Sequence, residues 1–168
     1  MRGHGSWIVV VVAAALIETT MLPAISIQRV VPDLVLISVV YFSIVEGSER
    51  GMFTGLLGGI LQDVFANTGV GHHVLCLVVV GYVVGRMASR LITDNPYVKV
   101  MTVFGASVVH GFVYLAIEYI QKVDAEAAVM MTYSIMPQAF YTAAFTPVIF
   151  FLVGRVRPAP VPTQGYSL

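Results

Sequence analysis

The chain has 168 residues, of which 58% are hydrophobic and 11% charged; its formal net charge is zero and its mean hydropathy +0.87. A soluble globular domain carries about 25% charged residues, so this composition reads as one polytopic membrane domain. The charge balance, with no basic tract, excludes nucleic acid as a partner, and the lone Cys76 in an apolar run excludes a disulfide framework and a cysteine-based zinc site.

Ser6 to Ile25 is the first apolar run, with Trp7 near one interface and Pro23 near the other. It continues past Ala13-Ala14-Ala15 without a polar break, so it is expected to remain a span and not to be cleaved as a signal peptide. Glu18 lies toward the far half of this run, as a carboxylate that reaches interfacial water or pairs internally. Pro32-Asp33 opens the second segment, Leu34 to Val45, with Asp33 placed as an N-cap acid. Glu46 to Arg50 closes it, and Gly51 to Ala66 is the third segment. Both are short against the roughly 20 residues of a perpendicular span, so they either span with the help of polar ends or form a shielded hairpin.

Asn67 to Gly71 reads as a loop. The fourth span is Val74 to Met87, the fifth Val98 to Ile120 and the sixth Val129 to Val153, with kinks or breaks expected at Pro137 and Pro147. Gln121 to Glu126 is a polar connection. The expected architecture is an all-α integral membrane protein of about six transmembrane helices in a compact bundle, with residues 1–157 as one domain and 158–168 as a disordered cytoplasmic tail. With a cytoplasmic N-terminus, Arg2, Arg50, Arg86, Arg90, Lys99, Arg155 and Arg157 fall inside and only Arg29 and Lys122 outside. That bias sets both termini on the cytoplasmic side.

Gly51, Gly55 and Gly59 recur every four residues and share one helix face, and Asp63 follows one turn on; Gly58 lies beside them. The fourth span carries a second pair, Gly81 and Gly85. Such faces let backbones approach closely, inside the chain or against a partner helix. On the fifth span Ser107, His110, Tyr114 and Glu118 form one stripe, read as an internal hydrogen-bond network or as a ligand pocket. His72-His73 has no carboxylate at ligand spacing, so no metal or other cofactor is expected. No nucleophile elbow, phosphate loop or zinc-protease motif occurs, and no catalytic residue is nominated; the chain reads as a non-enzyme.

The order Pro32-Asp33-Leu34, Glu49-Arg50-Gly51, Gly55, Gly58-Gly59, Asp63, then Gly69 and Gly71-His72, closely resembles the rod shape-determining protein MreD family. The resemblance implies a bacterial inner-membrane, non-enzymatic component of the cell-wall elongation complex. It implies docking to MreC, a single-span partner, and work with MreB, RodA and a class B penicillin-binding transpeptidase in peptidoglycan synthesis. It also implies a fold similar to the substrate-binding subunits of energy-coupling-factor transporters. A vitamin-like small-molecule binding subunit of a transporter is the alternative. Pro32, Asp33, Asp63, Gly69 and Gly71 are the polar and turn positions that the family pattern marks out.

Overall fold

The structure is a computed structural model and describes residues 3–20, 31–66, 71–91, 95–120 and 125–156; within these, the side chains of 3, 4, 66, 89–91, 118 and 125–132 are not described. Gly69, the Gln121–Asp124 connection, Arg29, Lys122 and the 158–168 tail lie outside the described residues. The described chain is all-helical: α1 (Gly3–Thr20), α2 (Leu34–Glu46), α3 (Ser48–Ala66), α4 (His72–Leu91), α5 (Pro96–Ile120) and α6 (Ala125–Val156).

Helix α2 is the centre. Every residue from Leu34 to Ser43 is buried, on all faces, and α2 touches each of the other helices. A helix apolar all round belongs in an interior or in lipid, and here the other helices cover it. Its 13 residues measure about 20 Å, well short of a bilayer's apolar thickness of about 30 Å. Pro32 is buried at its start, and Asp33 caps it, accepting the Leu36 N–H at 2.7 Å. Leu36, Ile37, Val40, Leu77, Val80 and Val103 fill the main core around it. A second cluster joins Tyr41 and Phe42 to Val11 and Val153.

Gly47, at φ +90°, is the whole connection between α2 and α3, a conformation that a side chain would strain. Helix α3 therefore begins at Ser48, earlier than the expected Gly51, and Glu49 enters its first turn, where the helix dipole favours an acid. Arg50 pairs with Glu46 at 2.9 Å and lies 5.0 Å from the Trp7 ring centre. Trp7 donates to Thr54 Oγ1 at 2.8 Å, tying α1 to α3 at this end.

Helices α4, α5 and α6 also run past their expected limits. Asn95 Oδ1 accepts the Tyr97 N–H at 3.0 Å, and Pro96 occupies the first helical position, where a missing N–H costs nothing. Pro137 and Pro147 lie inside α6 without breaking it, because each removes a single N–H from a long ladder. Among the described residues, two stretches can cross a membrane by length and composition, Pro96–Ile117 and Tyr133–Val156; Gly5–Thr20, Leu34–Glu46 and His72–Ala88 are shorter apolar helices. Six full spans are thus more than helix length alone supports. Segments two and three form a hairpin whose first arm is enclosed by protein.

Candidate functional site

Three features stand out: a glycine seam, a carboxylate cap and a polar cavity. The seam joins α3 to α4. A Cβ added to Gly55 would lie 2.5 Å from the Leu77 carbonyl oxygen, one on Gly59 2.5 Å from Val74 Cα, and one on Gly51 2.7 Å from the Gly81 oxygen. Gly81 meets the Gly51 backbone in return, and Gly85 abuts the backbone of Ser48. Gly58 instead faces α2, against the Val35 side chain. Ser43 completes the junction: its hydroxyl donates to Val39 O at 2.6 Å and is 3.1 Å from Gly81 O. All of these glycines face neighbouring helices of the same chain.

The cap lies at the other end of the seam. Asp63, on α3, accepts the Gly71 N–H at 2.8 Å, the His73 N–H at 3.0 Å and the Val74 N–H at 3.5 Å. The first N–H groups of a helix have no partner inside it, and their dipole attracts negative charge. One buried carboxylate therefore closes α4 from across the seam, while Gly71 turns into the helix at φ +105°.

The cavity has a volume of about 220 Å³, and every helix contributes to its wall: Glu18 from α1, Asp33 from the start of α2, Gln62 from α3, His73 from α4, His110 from α5 and Gln138 from α6. Alternating helix direction brings these residues to one end of the molecule. Gln62 Nε2 donates to Glu18 Oε1 at 2.8 Å and to Asp33 Oδ1 at 3.2 Å. Glu18 Oε2 also accepts the Val35 N–H at 3.1 Å, and the Asp33 N–H donates to Thr142 Oγ1 at 3.1 Å. His73 stacks on His110 with ring centres 5.8 Å apart, and Tyr114 lies 5.1 Å from His73.

Of the α5 stripe, Ser107 and His110 are buried and His110 and Tyr114 reach the cavity; the Glu118 side chain is not described. Sequence reasoning misses Gln62 entirely, leaves Glu18 open between interfacial water and an internal partner, of which the structure shows the internal partner, and weighs His73 only as a metal ligand. The signal that could find them is topological: antiparallel helices place Glu18, Asp33, Gln62 and His73 at the same end as the polar half of the fifth span. Among the described residues no group of His, Cys, Asp and Glu has metal-site geometry. Arg50, Arg86, Lys99 and Arg155 sit at the helix ends opposite the cavity.

A separate apolar groove of about 530 Å³ runs between α4 and α5, lined by Val83, Met87, Tyr97, Met101, Gly105 and Val109 among others. A Cβ on Gly105 would meet nothing within 4 Å.

No curated protein matches the chain, and no solved structure does. A family model described as rod shape-determining protein MreD matches residues 1–155, nearly the whole length and every element described above, and the chain belongs to the MreD family.

Proposed function

We propose that this protein is a non-catalytic assembly subunit of the wall-elongation machinery, one that holds the transmembrane helix of a single-span partner of the MreC type. Through that partner it would engage MreB, RodA and a class B transpeptidase. The observation that carries the reading is the family match over residues 1–155, which brings with it a role in rod-shape determination in the inner membrane. The α4–α5 groove supports it. The small-residue faces of α3 and α4 already pack against their own chain, so they are not the free surface. Gly105 is small, open and set in an apolar groove, and small residues let a second helix approach closely in lipid.

Gly105→Leu puts a side chain into the groove, and its Cβ meets nothing within 4 Å. Its thermal unfolding in detergent should match wild type, while partner co-purification falls at least about tenfold, the equivalent of about 1.4 kcal/mol. In a depleted rod-shaped host it should leave cells round where wild type restores rods. Normal co-purification and rods would place the dock elsewhere; unaltered cell shape on depletion would refute the assembly role and favour the transporter alternative.

The proposed orientation places both termini and the Arg-bearing helix ends in the cytoplasm and the cavity end outside. Thr68→Cys and Asp124→Cys should then be labelled by an impermeant maleimide in intact cells with an accessible inner membrane. Cys76 is fully buried and does not compete. Labelling only after permeabilisation would reverse the orientation.

A further inference from the structure

Assembly leaves the polar cavity without a purpose. Its charges are mismatched in one direction. Glu18 and Asp33 bring two carboxylates, and no Lys or Arg is among the described residues that line it. Gln62 is 6% exposed and His110 8%, yet among the described residues Gln62 Oε1 and His110 Nε2 have no hydrogen-bond partner, and neither has the buried His73 Nδ1. The orientation of the Gln62 amide is settled by its neighbours. Its nitrogen bridges both carboxylates, and an oxygen there would be repelled. The amide oxygen is therefore, among the described residues, an acceptor with no donor. Buried polar atoms are nearly always satisfied, and a carboxylate away from water needs positive charge or donors. Among the described residues the cavity is short of both.

A primary ammonium supplies both at once, with three N–H donors and one positive charge. Water would supply donors without charge. A bare metal ion would supply charge, but the described residues form no metal-ligand set. The His73 ring, 5.8 Å from that of His110 and 5.1 Å from that of Tyr114, makes with them a flat wall for the adjoining carbon, in which Tyr114 is the ring that suits a cation. The volume restricts the ligand to a small head. An adjoining hollow of about 260 Å³ shares Glu18, Gln62 and His73 and extends the space past Thr19 and Phe65, between α1 and α3. We infer that this cavity binds the primary ammonium of a small amine, seated between Glu18, Asp33 and the Gln62 oxygen, with its carbon body against His73, His110 and Tyr114. The amine is either free in solution or the head group of an ethanolamine lipid. The inference does not depend on the assembly role.

The test titrates the full-length protein in detergent with ethanolamine, choline or sodium at constant ionic strength and follows Tm. A parallel arm compares nanodiscs of phosphatidylethanolamine with nanodiscs of phosphatidylcholine. Ethanolamine should raise Tm saturably. Choline, which has no N–H donor, should bind at least about tenfold more weakly, and sodium should give no saturable shift. Gln62→Met should abolish the response. Leu115→Phe should abolish it too by narrowing the cavity, with every polar group left in place and the unliganded Tm near wild type. Stabilisation by the ethanolamine lipid alone identifies a membrane source, and stabilisation by free ethanolamine a soluble one; either supports the site. No response to either amine, an equal response to choline or sodium, or an undiminished response in both variants would overturn it.

Discussion

Gly55→Leu should leave little or no folded protein in detergent extracts. The new Cβ would lie 2.5 Å from Leu77 O, 2.6 Å from Leu77 C and 2.8 Å from Val78 N, all backbone atoms of α4. No rotamer change relieves a clash with backbone, so α4 must move as a whole. That shift would also open the contacts at Gly51–Gly81 and Gly59–Val74 and pull the α4 N-terminus from Asp63. Overpacking ordinarily costs about 1–3 kcal/mol and occasionally more. A rigid seam belongs at or beyond the top of that range. Leu56→Phe is the control: Leu56 is 41% exposed on the same helix and should tolerate the change. Gly58→Ala should fall between the two, since it adds a single carbon and meets the Val35 side chain rather than backbone. Fluorescence-detected size exclusion and a thermal scan measure all three. A Gly55→Leu protein with wild-type yield and Tm would mean that the α3–α4 seam is not close-packed.

Asp63→Leu should be the next most damaging change. It removes the acceptor for the N–H groups of Gly71 and His73 at 2.8 and 3.0 Å and for the longer contact to Val74, and it takes negative charge from the positive end of α4. Each buried donor left unpaired costs about 1–3 kcal/mol, and the lost dipole interaction adds about 0.3–1 kcal/mol. A total of about 2–4 kcal/mol is expected, because this helix end is only partly shielded. Asp63→Asn keeps one acceptor oxygen of two and should recover about half of the loss. Comparison of Tm for the two variants measures the difference. Equal Tm values, with function lost in both at normal protein levels, would mean that Asp63 serves a reaction or a partner through its charge.

The seam is legible in the amino-acid order because small residues at every fourth position carry one meaning in lipid: something comes close. Whether that neighbour belongs to the same chain is not legible, since Gly51, Gly55 and Gly59 would look the same against a second chain. Hydropathy locates the six helices but blurs their ends. It gives no sign that Gly47 is a one-residue turn or that Asn95-Pro96 starts a helix. Enclosure of α2 is invisible to it for a physical reason. In a water-soluble protein an all-round apolar helix announces burial, whereas in a membrane the lipid-facing helices look the same. The polar cavity escapes for a different reason. Glu18 and Asp33 stand out singly in their own segments and His110 belongs to a stripe that reads as a network or a pocket, but Gln62 gives no signal, and only the meeting of helix ends brings the four together.

The enclosed position of α2 sets a schedule for biosynthesis. A ribosome delivers Leu34–Glu46 long before Ala125–Val156, yet the Asp33 N–H finds its partner at Thr142, 109 residues later. Until α6 arrives, α2 waits in the membrane as a helix too short to cross it, beside α1 and the tightly joined α3. Nascent chains stalled after α5 should therefore remain within reach of the insertion machinery, and release into the bilayer should follow the synthesis of α6.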